Sequence, residues 1–127
     1  MEKIAKNQLF IISPLVLAYI GDSVHTLYVR EYVISQNIQK LNDYNKQCSY
    51  FCKAQTQSKV LDRLAEVLQE EEKEIVRRAR NSKSNHKAKN SSVAEYNKAT
   101  SFEALIGYLY LSNQTERLNY ILQLSVN

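Results

Sequence analysis

The chain has 127 residues, of which 44% are hydrophobic and 24% are charged, and its formal net charge is +4. This length predicts a single domain over residues 1–127, and the apolar content is sufficient for a buried core. No segment reaches the ~18 consecutive apolar residues of a membrane span, and the first residues lack a small-residue cleavage site. We therefore expect a cytoplasmic protein with no membrane segment.

Chain breakers are scarce, because the sequence has one proline and two glycines. Long periodic segments with few breakers favour an all-helical fold. After a lead-in over residues 1–12, the first main helix is predicted over 14–35, where Ser13 is a capping residue and Pro14 suits the first turn. The predicted buried face of this helix comprises Val16, Tyr19, Ile20, Val24, Leu27 and Tyr28.

Gly21 and Asp22 interrupt this apolar helix. A glycine within a helix costs roughly 1 kcal/mol relative to alanine, so it indicates close packing or a site. The carboxylate of Asp22 is costly in apolar surroundings unless something pairs with it, and a metal ion is such a partner. His25 lies on the same side of this helix as Asp22. We interpret it as a hydrogen-bonded or exposed neighbour rather than a metal ligand or a base.

Two shorter helices are predicted next, over 41–51 and 53–69. Cys48 and Cys52 are four residues apart in the first, but no second Cys or His pair completes a zinc set, so we expect two buried free thiols. The second helix has a donor-rich opening in which Gln57 is a candidate RNA contact; an ordinary solvated first turn is the alternative. Its inward positions are predicted to be Val60, Leu61, Leu64 and Leu68.

A further helix is predicted to begin in the acidic run from Glu70 to Glu74 and to end near Asn81. Acidic residues suit the positive end of a helix dipole, and we interpret the run as a solvated face rather than as catalytic residues.

The segment from Ile75 to Ala94, which we call the basic window, contains no acidic residue. Six positive side chains on a helix end and the polar loop that follows favour phosphate binding, with Asn81 as a neutral donor. A solvated basic loop is the alternative, and a membrane-surface element is disfavoured because the loop has no apolar face. The candidate RNA-binding cations are Arg77, Arg78, Arg80, Lys83, Lys87 and Lys89.

The second main helix is predicted from Ser92 to Leu111, because Ser92-Val93-Ala94-Glu95 forms a capping box. Glu103 precedes the other glycine, Gly107, by four residues. Both glycines thus lie in mid-helix within one turn of an acid. This arrangement indicates two closely crossing helices that bring Asp22 and Glu103 together; the alternative is that the glycines only pack and both acids face water. A closing helix is predicted over Thr115 to Leu124.

These motifs resemble those of a known family. Ala18-Tyr19-Ile20-Gly21-Asp22-Ser23-Val24 resembles the signature helix of the ribonuclease III family, and Phe102-Glu103-Ala104-Leu105-Ile106-Gly107 resembles its second acidic motif. Arg78-Ala79-Arg80-Asn81-Ser82-Lys83 resembles a basic stretch of the Mini-III subfamily, whose members are short and lack a double-stranded-RNA-binding domain. The resemblance extends from about Leu15 to Leu118.

The resemblance implies an all-helical homodimer that hydrolyses phosphodiesters in double-stranded RNA and leaves 5′-phosphate and 3′-hydroxyl ends. Asp22 and Glu103 would be the catalytic residues and would hold Mg²⁺, with Mn²⁺ as the expected substitute. Mini-III enzymes mature the 5′ and 3′ ends of the 23S ribosomal RNA precursor, so that RNA is the expected substrate. A ribosomal protein that presents this RNA is a candidate partner.

The chain departs from the larger ribonuclease III enzymes at two positions. They have an acid where this chain has Ala18 and another where it has Thr100, so fewer carboxylates are expected here. Cutting both strands needs two sites, which a two-fold dimer supplies, and its interface is predicted near the signature helix. The apolar residues expected to be exposed there are Leu17, Tyr28 and Tyr32.

Two other functions remain open at this point. A non-catalytic RNA-binding or ribosome-associated helical module would keep the basic window and would treat both acids as structural. A helical protein–protein adaptor would explain the tyrosine-rich surface but would give the basic window no role.

Overall fold

The computed structural model describes residues 4–36, 40–82 and 92–127, and its secondary structure in these ranges is helical throughout. The all-helical prediction is therefore confirmed. None of the helices described is long and apolar enough to cross a membrane. The helices are α1 (Lys6–Leu9), α2 (Pro14–Ile34), α3 (Leu41–Cys52), α4 (Ala54–Leu64), α5 (Glu70–Arg80), α6 (Val93–Leu111) and α7 (Thr115–Ser125).

Helix α6 is the centre of the domain. Helices α2, α4, α5 and α7 all pack against it, and α3 packs against α2 and α4. From Ala99 to Leu109 every residue of α6 is buried except Glu103, which is half-buried. Glu103 is therefore the point at which this core helix reaches toward solvent.

The predicted caps set the beginnings of both main helices. Ser13 Oγ accepts a hydrogen bond from the Leu15 N–H at 3.3 Å, and Pro14 follows at the first helical position. Ser92 Oγ accepts from the Glu95 N–H at 3.1 Å, while the Ser92 N–H donates to Glu95 Oε1 at 3.0 Å. Both bonds of the predicted capping box are thus present.

The buried face of α2 differs from the predicted one. Val16, Tyr19 and Leu27 are 54%, 81% and 60% exposed, whereas Ile20, Val24 and Tyr28 are half-buried. The helix is apolar on most of its circumference, so hydrophobic spacing alone does not select the inward side. The side that packs against α6 carries Leu17, Ala18, Gly21, His25, Val29 and Val33.

Helix α4 ends at Leu64, five residues before the predicted end at 69. The Val67 carbonyl accepts a hydrogen bond from Arg117 at 2.5 Å, in place of the backbone N–H that it would accept from in a longer helix. The Gln69 N–H then donates to Glu72 Oε1 at 2.8 Å at the start of α5. Val60, Leu61 and Leu64 are buried as predicted, and Leu68 is half-buried beyond the helix end.

The acidic run at the start of α5 is only partly solvated, which corrects the prediction. Glu72 is 1% exposed, and its carboxylate accepts two hydrogen bonds from Arg117, both at 2.8 Å. Glu71 accepts a hydrogen bond from the buried Tyr108 hydroxyl at 2.9 Å. Hydrogen bonds to two acids of the run therefore hold α5 against α7 and α6. Hydrogen bonds to a charged group are stronger than those between neutral groups.

Cys48 and Cys52 are free thiols, half-buried rather than fully buried, with their sulfur atoms 4.0 Å apart. Burial and the neighbouring Cys48 raise the pKa of the Cys52 thiol to about 12. The thiolate is the nucleophilic form, so Cys52 is an unreactive thiol at neutral pH.

Candidate active site

The two glycines mark where α2 and α6 cross. A β-carbon on Gly21 would lie 1.7 Å from the Glu103 carbonyl oxygen, and one on Gly107 would lie 1.9 Å from the Leu17 carbonyl oxygen. Neither distance is compatible with a side chain, and the atoms in the way are backbone. Only glycine permits this approach at either position. The predicted close crossing of the two helices is present.

The crossing brings Asp22 and Glu103 together, and their side chains are in hydrogen-bond contact. Asp22 is exposed and Glu103 is half-buried, so the pair extends from the surface into the core. They lie in a cleft of about 270 Å³. Its lining residues are Leu15, Ala18, Tyr19, Asp22, Tyr96, Thr100 and Glu103.

The electrostatics of the pair favour a bound cation or a shared proton. Burial, the hydrogen bond with Asp22 and its charge raise the pKa of Glu103 to about 9, against the opposing hydrogen bond from Gln57. At neutral pH and without a cation, Glu103 therefore holds a proton and donates it in a hydrogen bond to Asp22. A cation bound between the two carboxylates would offset the repulsion between their negative charges and would displace the proton from Glu103.

The donors present fit a hard divalent cation such as Mg²⁺. Two carboxylates offer oxygen ligands, and Mg²⁺ is commonly held by one or two carboxylates while it keeps several waters. The described residues contain no cluster of three or more His, Cys, Asp or Glu that could hold a metal. Ala18 and Thr100, the two positions at which fewer carboxylates are expected from the sequence, both line the cleft.

A second polar layer lies behind Glu103. His25 is 1% exposed, its ring packs edge-on against Phe102 at 4.9 Å, and its Nδ1 lies 3.2 Å from Gln57 Nε2. Gln57 also hydrogen-bonds the side chain of Glu103. Of the two situations predicted for His25, a hydrogen-bonded or an exposed neighbour, the structure shows the hydrogen-bonded one.

Gln57 lies inside the protein rather than on an RNA-binding surface, which corrects the prediction. It is 3% exposed because it falls on the inward side of α4, and its amide is bonded to His25 and Glu103. The donor-rich sequence around it suggested a solvated helix start. The signal for burial was its helical spacing with Ala54, Ser58 and Leu61, which are all buried.

Part of the basic window is described by the structure. Arg77 is paired with Glu74, with 2.6 Å between Arg77 Nη2 and Glu74 Oε1, and Arg80 and Asn81 are exposed at the end of α5. The Arg78 guanidinium lies 6.0 Å from the centre of the Phe10 ring. The predicted RNA contacts Lys83, Lys87 and Lys89 lie outside the described residues.

The window leads directly into the helix that carries the site. Helix α6 follows Ser92, and Tyr96, Thr100 and Glu103 then line the cleft at intervals of about one turn. At 1.5 Å rise per residue, roughly 16 Å of helix separate Ser92 from Glu103.

Comparisons with known proteins agree with this geometry. The model of the Ribonuclease III domain matches residues 15–114. The protein named Mini-ribonuclease 3 from Thermoanaerobacter sp. is 47% identical over 125 residues, which cover 98% of this chain and 88% of the relative. The Mini-ribonuclease 3 of Clostridium tetani is 45% identical over 127 residues, covering 99% of this chain and 84% of that protein.

A crystal structure of a protein from Fusobacterium nucleatum has the same fold, with a TM-score of 0.81 and 32% sequence identity. The match covers 90% of this chain and 91% of that one. Both motifs, at residues 18–24 and 102–107, lie within the matched family region, as the sequence resemblance predicted. The chain therefore belongs to the ribonuclease III family, as an endoribonuclease of the Mini-ribonuclease 3 type.

Proposed function

We propose that the protein hydrolyses double-stranded RNA with Mg²⁺ and matures the ends of the 23S ribosomal RNA precursor in the cytoplasm. The observation that carries the catalytic part is the contact between Asp22 and Glu103 at the glycine crossing. The 23S substrate rests on the Mini-III resemblance, together with the basic window that precedes α6.

Asp22 and Glu103 would hold the metal from opposite sides of the crossing. Because Gly21 and Gly107 fix the two backbones against one another, the spacing of the carboxylates is set by rigid helices rather than by loops. A bound Mg²⁺ would neutralise charge on the phosphate and lower the pKa of a coordinated water. Exposed Asp22 reaches the cleft mouth, where a phosphate of the RNA would lie.

The basic window would supply affinity without reading sequence. Double-stranded RNA is recognised mainly by shape, through phosphates and 2′-hydroxyls across its minor groove. Exposed Arg80 and Asn81, with Lys83, Lys87 and Lys89 in the segment that follows, are the candidate phosphate contacts. Arg77 is a weaker candidate because Glu74 already neutralises it.

We also propose that the protein works as a homodimer through α2. Val16, Tyr19, Leu27 and Ile34 are exposed and, by helical spacing, lie on one side of this helix. The interface residues predicted from sequence need correction, because Leu17 is fully buried and Tyr28 and Tyr32 are half-buried. A two-fold interface on this side would place the two cleavage sites near the same duplex.

The test is incubation of the purified protein with a long RNA duplex, the matching single strand, the DNA duplex and a 23S precursor stem, each with Mg²⁺ or EDTA. We expect cleavage of the two RNA duplexes in Mg²⁺ alone, with 5′-phosphate ends at the mature 23S termini. Binding without cleavage would contradict the proposal and favour a ribosome-associated module. Cleavage of the generic duplex but not of the stem would contradict the 23S assignment alone.

A further inference from the structure

A buried amide connects the two helices that carry the acids. Gln57 lies on α4, its partner His25 on α2 and its other partner Glu103 on α6. Burying an amide costs free energy unless its hydrogen bonds are made, and the partners of Gln57 are the buried His25 and the half-buried Glu103. Gln57 is therefore placed where its bonds act on the orientation of Glu103.

His25 restricts which way this amide faces. The ring is buried against Phe102, and within the described part of the chain its Nε2 makes no hydrogen bond. Burial lowers the pKa of His25 to about 4 despite the charge of Asp22, so the ring is neutral and carries one N–H. The atom that faces its Nδ1 is Gln57 Nε2, which makes Nδ1 the acceptor and leaves the ring N–H on Nε2.

With its nitrogen facing His25, the amide has a second N–H for Glu103. An ionised carboxylate is acceptor-only, so it requires the N–H of Gln57 and would be repelled by the amide oxygen. A bond to one carboxylate oxygen restricts rotation of the carboxylate and leaves its other oxygen for a cation. Groups that hydrogen-bond a metal-binding side chain commonly change metal affinity by 10- to 100-fold when removed.

We propose that Gln57 is a positioning residue that, oriented by His25, presents an N–H to Glu103 and holds its carboxylate ready to bind the metal ion with Asp22. The proposal rests on the proposed function, because it assumes that Glu103 is a metal ligand. It assigns no contact with RNA to Gln57.

The test compares Gln57→Leu with wild type, using Mn²⁺ alone as the probe and the EPR signal of free Mn²⁺ as the readout. We expect Mn²⁺ binding at least about tenfold weaker in the variant. The Mg²⁺ concentration for half-maximal cleavage should rise in proportion, while RNA-duplex affinity in EDTA stays unchanged. A folded Gln57→Leu protein with wild-type Mn²⁺ affinity overturns the proposal.

Val60→Ala is the matched control, because Val60 is also buried on α4 but is not among the residues bonded to His25 or Glu103. The Val60→Ala protein should have a lower melting temperature and the Mn²⁺ affinity of wild type. If it also binds Mn²⁺ more weakly, loss of stability alone would explain the result for Gln57→Leu, and the proposal would be overturned.

His25→Phe is the second variant, and it decides the matter if Gln57→Leu does not fold. It keeps an aromatic ring against Phe102 but removes the acceptor that orients Gln57. We expect Mn²⁺ binding several-fold weaker, and unchanged binding overturns the proposal. Wild-type protein that neither binds Mn²⁺ nor cuts duplex RNA would instead contradict the proposed function, which separates the two failures.

Discussion

The carbonyl oxygen of Glu103 occupies the space that a side chain on Gly21 would need, 1.7 Å from the position of its β-carbon. The residue after Gly21 is Asp22, so the contact that packs the two helices also sets the distance between the two acids. Stability and the geometry of the site therefore depend on the same crossing.

Gly21→Ala should destabilise the protein by about 3 kcal/mol or more, because the added methyl meets backbone that cannot rotate away. The helices must separate, so any folded fraction should also lose most of its cleavage activity. Denaturant unfolding and duplex cleavage measure the two effects. Ser23→Ala, at an exposed position two residues further along α2, should change stability by less than about 0.5 kcal/mol. A stable, active Gly21→Ala protein would contradict the crossing geometry.

The raised pKa of Glu103 predicts how stability depends on pH without metal. Because the folded state holds a proton up to about pH 9 and the carboxyl of the unfolded chain loses it near the ordinary pKa of 4.5, stability should fall as pH rises between these values. Glu103→Gln should flatten this dependence and stabilise the metal-free protein at pH 8 by about 1–2 kcal/mol. Thermal unfolding in EDTA from pH 5 to 9 tests it, and an identical slope for both proteins would refute the assignment.

Metal binding should carry the opposite pH dependence. Glu103 must release its proton before it can bind a cation, so Mn²⁺ affinity should rise with pH up to about 9 and binding should release a proton. Calorimetric titration in buffers of different ionisation enthalpy measures that proton. Binding with no proton release at pH 7 would show that Glu103 is not a ligand.

Among the arginines, Arg80 should contribute more to RNA binding than Arg77. Arg80→Gln should weaken duplex affinity and reduce the slope of log affinity against log salt by about one, as expected for one lost phosphate contact. Arg77→Gln should have a smaller effect because Arg77 is paired with Glu74. The control is Arg63→Gln, since Arg63 bonds the Leu124 and Asn127 carbonyls outside the basic window. An unchanged slope in Arg80→Gln would exclude that contact.

The proposed dimer gives a separate prediction. Leu27→Lys places a charge on the exposed apolar side of α2 and should convert a dimer into a monomer at micromolar concentration. Sedimentation velocity distinguishes the two states. Val93→Lys, at another exposed apolar position, should leave the dimer intact. A wild-type protein that sediments as a monomer would contradict the homodimer.

The sequence was sufficient to predict the helix crossing but not the inward side of α2. Gly21 and Gly107 each lie within one turn of an acid, and close packing is the physical reason for a glycine in mid-helix. These two facts together predict that Asp22 and Glu103 lie close to one another. The apolar residues of α2 surround most of its circumference, so their spacing favoured Val16, Tyr19 and Leu27, which are exposed. An apolar surface that is predicted to be core can equally be an interface.

The sequence also did not indicate which polar residues are buried. Gln57 and Glu72 were assigned to the surface because amides and carboxylates usually lie there, whereas both are buried and bonded to partners distant in sequence. His25 lies 32 residues before Gln57, and Arg117 lies 45 residues after Glu72. Local patterns contain no information about such partners, so only the helical spacing of each residue could have indicated its burial.

The most direct test of the central claim, that Asp22 and Glu103 form the metal site for RNA cleavage, is the single-turnover cleavage rate of an end-labelled RNA duplex in Mg²⁺. Wild type, Asp22→Asn and Glu103→Gln are compared, with duplex affinity measured in EDTA. We predict that both variants fold and bind RNA like wild type but cleave at least about 10³-fold more slowly. A pure variant of either kind that retains Mg²⁺-dependent cleavage at the wild-type rate would contradict the claim.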